Sequence, residues 1–315
     1  MNQSLSLLFA ASMTLNGAEP LSFKQPGWIS SVAFSPDGKL LANACTDNTA
    51  RLHQVSNGQE VAVFSGHTDY VVAVAFSSDG KMLATGSYDH TARIWDVSSS
   101  HVRGIFKGHR GAVMAVALSP DGTLLATGSI DSTIKLWRLD SSALVATLEG
   151  HKLWVNSVVF APNGTTLISG SSDGTVKIWD VATRRLKTTL QASEAEVRSV
   201  AASPNGRIIA AGTRYGMIKM WVDAMERLNF KGHDADVWSL AFTPDSKTLL
   251  SGDGDWDQPG QVKLSDAQTG RLVATLSHSG EVLSVACSPD GRRIAAGGAD
   301  KVVKIWERPL PHESP

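Results

Sequence analysis

Histidine, serine and aspartate recur in sets along this 315-residue chain, and one such set would suit nucleophilic hydrolysis. In that chemistry the histidine accepts the proton of the serine hydroxyl, and the aspartate orients the imidazole. The sets with equal internal spacing are His67, Ser87 and Asp89; His109, Ser129 and Asp131; and His151, Ser171 and Asp173. A catalytic site needs one convergent set, whereas these sets follow one another at 42-residue steps. The repetition indicates a structural role, and we predict no catalytic residue.

The same 42-residue step separates four tryptophans, Trp95, Trp137, Trp179 and Trp221. Each repeat also contains an almost continuous apolar run such as 71–76, which is typical of a strand buried on both faces. A Ser-Pro-Asp-Gly turn follows, in which proline presets φ and glycine accepts a positive φ. A period in the low forties with Gly-His and Trp-Asp marks is typical of a four-stranded propeller blade.

With Gly-His at 66–67, 108–109 and 150–151 and Trp-Asp at 95–96 and 179–180, the chain resembles the WD40-repeat family over residues 20–308. The resemblance implies an all-β fold, a seven-bladed WD40 β-propeller. It also implies one buried hydrogen-bonded network per blade, and such a network must be fully satisfied inside a core. The implied structural tetrads are His67, Ser87, Asp89 and Trp95; His109, Ser129, Asp131 and Trp137; and His151, Ser171, Asp173 and Trp179.

The last repeat ends at Trp306-Glu307, so its outermost strand is missing at that end of the repeat array. The segment 21–24 reads like 228–231, which precedes the Gly-His of the sixth repeat. We therefore expect residues 20–24 to supply the outer strand of the last blade and to close the ring, which removes an open sheet edge.

We divide the chain into an N-terminal segment 1–19, a propeller 20–308 and a short C-terminal tail 309–315. The apolar stretch 5–13, followed by Gly17-Ala18, resembles a secretory signal peptide, although no Lys or Arg precedes it. The alternative is an extension that lies on the last blade. A cytoplasmic and an exported location (periplasmic or extracellular) therefore both stay open.

The composition narrows the class of ligand. A net charge of −1 with mixed signs argues against nucleic acid as the main ligand. No apolar stretch is long enough for a transmembrane helix. The two cysteines form neither a disulfide framework nor a metal motif, and we predict no metal and no cofactor. The chain could act alone as a monomer or as a subunit of a complex.

Aromatic and arginine residues collect at positions that should share one rim of the propeller. In WD40 propellers, partners commonly dock on the face that holds the loops before the innermost strand and the Asp turns. Such residues are typical interface anchors. The predicted partner-binding residues are Trp28, Tyr70, Tyr88, Met114, Trp154, Arg198, Arg214 and Trp238.

Two departures from the repeat allow more than one interpretation. Arg198 and Arg214 could receive an acidic peptide bidentately, or Arg198 could pair with Glu194 or Glu196. The alternating aspartates of 253–257 resemble the start of a calcium loop. However, Gln258 and Leu264 replace the glycine and glutamate of that loop, so an enlarged turn is the other interpretation, with Asp255 as the turn aspartate and Trp256 exposed as a contact candidate.

We predict a non-catalytic scaffold that binds a protein or peptide, acidic if the arginines receive it, on the face around the central channel. Because a closed propeller presents preformed loops, binding should cost little ordering entropy. One alternative is an exported bacterial-type propeller with a sensing or structural role. Another is a ligand-binding or enzymatic propeller that uses the central cavity.

Overall fold

The computed structural model describes residues 19–255 and 258–308, which form seven four-stranded antiparallel sheets. The predicted all-β, seven-bladed propeller is confirmed. Arg214–Gly216 is a single 3₁₀ turn, and within the described residues no helix has the length and apolarity to cross a membrane. The predictions for residues 1–18 and 309–315, and the contact proposed for Trp256, lie outside the described residues.

Each sheet begins with a strand next to the central axis. These first strands are β2 (Ile29–Phe34), β6 (Val71–Phe76), β10 (Val113–Leu118), β14 (Val155–Phe160), β18 (Val197–Ala202), β22 (Asp236–Phe242) and β26 (Val282–Cys287). The second strands are β3 (Leu40–Cys45), β7 (Met82–Ser87), β11 (Leu124–Ser129), β15 (Thr166–Ser171), β19 (Ile208–Thr213), β23 (Thr248–Gly254) and β27 (Arg293–Gly298).

The third and fourth strands complete each blade toward the outside. The third strands are β4 (Thr49–Gln54), β8 (Thr91–Asp96), β12 (Ile134–Arg138), β16 (Thr175–Asp180), β20 (Met217–Val222), β24 (Gln261–Asp266) and β28 (Val302–Glu307). The outer strands are β5 (Glu60–Ser65), β9 (Val102–Lys107), β13 (Leu144–Leu148), β17 (Arg185–Gln191), β21 (Met225–Lys231), β25 (Leu272–Ser277) and, from the N-terminal side, β1 (Leu21–Lys24).

The short strand β1 is the fourth strand of the seventh sheet. It pairs antiparallel with β28, with Leu21 opposite Ile305 and Phe23 opposite Val303. The Phe23 ring lies 4.5 Å from the His53 imidazole of the first blade, measured between ring centroids. One segment thus covers the edge of β28 and contacts the neighbouring blade.

The first strands pack side by side in a complete ring, in which β26 contacts β2. Serine hydroxyls cross several of these blade junctions and accept a hydrogen bond from a backbone N–H of the next first strand. At the junction of blades 7 and 1, the Val32 N–H donates to Ser284 Oγ at 3.0 Å. The equivalent acceptors at other junctions are Ser31, Ser157, Ser199 and Ser239.

The hydrophobic cores lie between neighbouring blades, because each apolar cluster takes residues from two adjacent sheets. One cluster contains Phe106 of blade 2 together with Val113 and Trp137 of blade 3. Close packing requires glycine where strands of two blades meet. A Cβ on Gly128 would lie 2.8 Å from Val155 Cγ1 of the next blade. The rigid ring that results holds the loops at each end in fixed positions.

Candidate functional site: the rim around the central channel

Each regular blade contains a buried histidine network near this rim. His67 Nδ1 lies 2.7 Å from Asp89 and His67 Nε2 lies 2.7 Å from the Thr85 hydroxyl. That hydroxyl also accepts a hydrogen bond from Trp95 Nε1 at 2.9 Å. Burial lowers the pKa of His67, so the neutral imidazole accepts from Thr85 and donates to Asp89.

The hydroxyl member of each predicted tetrad was wrong by two residues. Thr85, Thr127 and Ser169 bridge histidine and tryptophan, in place of Ser87, Ser129 and Ser171. Positions two apart on a strand share one face. Only the hydroxyl of the earlier residue is within hydrogen-bonding distance of the tryptophan Nε1 atom. Ser87 instead donates to the Asp69 carbonyl and accepts from the Asp89 N–H. In each of these three blades the histidine lies within hydrogen-bonding distance of its aspartate, and it shares the bridging hydroxyl with the tryptophan.

The sixth blade uses a different aspartate from the one expected. His233 Nδ1 lies 2.8 Å from Asp253 but has no hydrogen-bond partner among the described residues. Asp253 accepts a hydrogen bond from the Gln261 N–H at 2.6 Å. Asp255 instead lies in a short bridge with Gln258. Asp253, two residues earlier in the chain, thus lies beside the histidine in this blade.

Two positions of the rim lie beside each other in each blade: the residue before the first strand and the residue before the turn aspartate. The Tyr88 N–H donates to the Tyr70 carbonyl at 2.9 Å, and the Ser172 N–H donates to the Trp154 carbonyl at 2.9 Å. The same bond joins Thr46 to Trp28 at 3.1 Å. The residue before each first strand therefore sits next to the residue before each turn aspartate.

A β-bulge near the start of each first strand sets the position of the other rim residues. In every blade the pairing of the first and second strands skips the residue that follows the buried Val or Ile near the start of the first strand, for example between Val113 and Ala115. A bulged residue leaves the ladder and its side chain is redirected. Met114, Arg198 and Trp238 are such residues.

Blades 1 to 4 carry an apolar part of the rim, which we call the aromatic sector. Its exposed rings are between 37 and 50 % accessible, and Met114 is half-buried beside them. Tyr70 and Tyr88 pack edge to face with ring centroids 6.0 Å apart. The aromatic sector consists of Trp28, Tyr70, Tyr88, Met114 and Trp154.

Blades 5 to 7 carry what we call the charged sector, which consists of Glu196, Arg198, Arg214, Asp236, Trp238, Asp255 and Glu281. Arg198 is central to it: its guanidinium lies 2.7 Å from Glu196 and 3.2 Å from Asp236. The same guanidinium stacks on Trp238, 4.4 Å from the ring centroid. Of the two interpretations of Arg198, the internal ion pair with Glu196 is the one observed.

Arg214 is exposed at the edge of the charged sector. It lies 3.5 Å from Glu196 and over the Tyr215 ring at 5.1 Å. Tyr215 replaces the turn aspartate of other blades and has a φ of 67°, with its N–H bonded to Asp236. Cross-blade bonds to Asp236 thus hold the irregular fifth blade.

Glu281 is a rim residue outside the predicted set, although its position in the repeat indicates the rim. Glu281 occupies the repeat position of Trp28, Tyr70 and Trp154, directly before a first strand. The Ala299 N–H donates to its carbonyl, which places it on the same rim. Burial raises the pKa of its carboxyl, and the charges of Asp255 and Asp236 add to the shift.

Elsewhere, burial raises the pKa of both thiols, Cys45 and Cys287, to about 11, so neither is a thiolate near neutral pH. Within the described parts of the chain, no three His, Cys, Asp or Glu side chains are grouped as a metal site would require. The calcium interpretation of 253–257 depends in part on residues outside those parts.

Comparison with known proteins supports the repeat architecture. The profile described as "IFT122 first beta-propeller" matches residues 94–259. The profile described as "WD domain, G-beta repeat" matches residues 58–96 and 270–307. A third, described as "Anaphase-promoting complex subunit 4 WD40 domain", matches residues 19–75. Together these matches cover nearly the whole described propeller.

Several curated proteins are similar over part of this chain. WD repeat-containing protein 3 of Mus musculus is 32% identical over 117 residues, covering 26% of this chain and 12% of that protein. Intraflagellar transport protein 122 homolog of Danio rerio is 36% identical over 86 residues, covering 25% and 7%. WD repeat-containing protein 1 of Xenopus tropicalis is 33% identical over 79 residues, covering 24% and 12%. The matched part is thus a small fraction of each relative.

Proposed function

Because this chain belongs to the WD40-repeat β-propeller family, we propose that it is a non-catalytic scaffold that binds a protein or peptide across the rim around its channel. The observation that carries this proposal is the aromatic sector. Trp28, Tyr70, Tyr88 and Trp154 expose large rings from three blades of one rigid face. Exposed aromatic clusters are typical of interface anchors.

The buried histidine networks favour a scaffold over an enzyme. The set of His67, Asp89 and Thr85 has the connectivity of a catalytic triad. However, the Thr85 side chain is fully buried and its oxygen is bonded to Trp95. A nucleophile must reach its substrate, so this set stabilises the blade. The same arrangement in neighbouring blades agrees with that role.

The test is a comparative capture of partners with the full chain as bait. We expect the variant Tyr88→Ala/Trp154→Ala to lose a partner that the unmodified protein retains, because truncating interface anchors typically costs about 2 kcal/mol or more of binding free energy. The matched control is Leu186→Ala/Leu272→Ala, which removes similarly exposed apolar side chains from outer strands.

Thermal unfolding of all three proteins checks that the variants are folded. If both variants retain the same partners as the unmodified protein, the proposal is contradicted and the binding surface lies away from this rim. Loss of the partner from the outer-strand variant alone would assign binding to the side of the ring.

A further inference from the structure

A cleft lies at one end of the aromatic sector, with residues of blades 1, 2 and 7 in its wall. It has a volume of about 290 Å³, and Trp28 and Tyr70 are among the residues that line it. Trp28 is 39% exposed and Tyr70 is 50% exposed. Because Tyr70 packs edge to face on Tyr88, the aromatic surface continues beyond the cleft. A partner that fits here brings a compact apolar group that packs on flat rings.

The charges around the cleft favour an uncharged occupant. Asp47 is in the wall, but its Oδ2 atom lies 2.7 Å from the Arg51 guanidinium. The exposed Lys301 also lines the cleft, and its ammonium group makes no ion pair within the described residues. Burial raises the pKa of the Tyr88 hydroxyl, and the charge of the nearby Asp69 carboxylate adds to the shift. A cationic group would meet Lys301 and an acidic group would meet Asp69, so neither sign of charge is favoured.

The aromatic sector also offers hydrogen-bond donors. The hydroxyls of Tyr70 and Tyr88 and the indole N–H of Trp154 are donor groups on exposed residues. In the parts of the chain that the structure describes, none of the three donates to a protein acceptor. A partner with unpaired carbonyl groups would accept these hydrogen bonds. A helical partner would not, because a helix pairs most of its own carbonyls.

A proline-rich segment combines these properties. Proline is uncharged, has a compact apolar ring and has no backbone N–H. The polyproline II helix makes no internal hydrogen bonds, so its carbonyls are free to accept them. Such segments dock on aromatic-lined grooves. Because the helix and the rigid rim are both ordered before they meet, binding costs little conformational entropy.

We propose that the aromatic sector binds a proline-rich segment in the polyproline II conformation. One proline ring occupies the cleft lined by Trp28 and Tyr70, and carbonyls of the segment accept hydrogen bonds from the hydroxyls of Tyr70 and Tyr88. This inference rests on the proposed function and adds the chemical class of the partner.

The test measures the fluorescence anisotropy of labelled synthetic peptides mixed with the full chain. One peptide carries several prolines in an uncharged Gly/Ser framework, and the matched peptide has alanine at every proline position. Two further peptides carry arginines or glutamates at those positions. We expect the proline peptide to bind about tenfold tighter than the alanine peptide, a difference of about 1.4 kcal/mol.

Two variants of one residue locate the site. Tyr70→Ala removes part of the cleft wall and should weaken binding of the proline peptide about tenfold. Tyr70→Phe removes only the donor hydroxyl and should weaken it about threefold. The matched control Leu272→Ala removes an equally exposed side chain from an outer strand and should leave the affinity unchanged. Thermal unfolding checks that each variant is folded, and Tyr70→Phe keeps the ring if Tyr70→Ala does not fold.

Each result decides the inference. Equal binding of the proline and alanine peptides would overturn it, as would a preference for the arginine or glutamate peptide or no detectable binding of the proline peptide. Unchanged affinity in both Tyr70 variants, or an equal loss in Tyr70→Ala and Leu272→Ala, would also overturn it. The scaffold function is tested separately by the partner capture with Tyr88→Ala/Trp154→Ala. It stands if that capture succeeds while the proline peptide fails to bind.

Discussion

At the scale of single residues, one side-chain hydroxyl decides whether the buried histidine of a blade is hydrogen-bonded to the tryptophan through it. In the seventh blade Ala296 stands where Thr85, Thr127 and Ser169 stand in other blades. His278 Nε2 is consequently buried without a hydrogen-bond partner in the part of the chain that the structure describes. Burial also lowers the pKa of His278. This blade therefore carries an unsatisfied polar atom that the regular blades satisfy.

The variant Ala296→Ser should restore the bridge between His278 and Trp306. We expect the free energy of unfolding to rise by about 1 kcal/mol, the net value of a typical buried hydrogen bond. Urea unfolding of the variant and the parent measures this change. In a His278→Ala background the new hydroxyl should bring no gain, and an equal effect in both backgrounds would contradict the explanation.

At the scale of elements, the first strands are joined by serine hydroxyls as well as by apolar contacts. Ser284 links β26 to β2 across the junction where the last blade meets the first. Alanine occupies the equivalent position in blades 2 and 3, at Ala73 and Ala115. The hydroxyl is therefore absent at some junctions, while at the closing junction it accepts the hydrogen bond of the buried Val32.

The substitution Ser284→Ala should leave the Val32 N–H buried without its acceptor. We expect it to lower the free energy of unfolding by roughly 1–3 kcal/mol, the desolvation cost of an unpaired buried group. Chemical denaturation provides the measurement. Ser78→Ala, which removes an exposed hydroxyl bonded to the Pro120 carbonyl, should change stability by less than about 0.5 kcal/mol. Equal effects of the two substitutions would argue against the role of Ser284.

At the scale of the whole molecule, buried histidines make stability depend on pH. Burial lowers the pKa of His53, His67, His109 and His278 in the folded protein, whereas the unfolded value is about 6.5. Hydrogen bonds from Thr91 and His67 outweigh burial and lower the pKa of Asp89 to about 2. The analogous bonds in blade 3 lower that of Asp131 to about 2.

The unfolded chain therefore binds more protons than the folded chain once the pH falls below about 6.5. We expect the free energy of unfolding to be highest near neutral pH and to fall progressively toward pH 5. The carboxylates add a second loss below about pH 4. Urea midpoints at constant ionic strength across this range test the expectation. A midpoint that rises on acidification from neutral pH would contradict the assignment of neutral, buried imidazoles.

The sequence by itself determined the family, the number of blades and the rim positions, since these depend on local patterns that recur in each blade. Apolar runs, turn residues and the 42-residue step need only the geometry of one blade to be interpreted. The exposed positions of Tyr88 and Trp154 could be predicted in this way.

Only the tertiary structure decided which partners meet. Thr85 rather than Ser87 bridges His67 and Trp95, because depth in the blade separates two positions on one strand face. Arg198 pairs with Glu196, as one of the two interpretations had it, and also reaches Asp236, 38 residues away in the next blade, which no pattern in the sequence suggested. Such contacts depend on the bulge and on cross-blade distances, and neither is encoded in a local pattern.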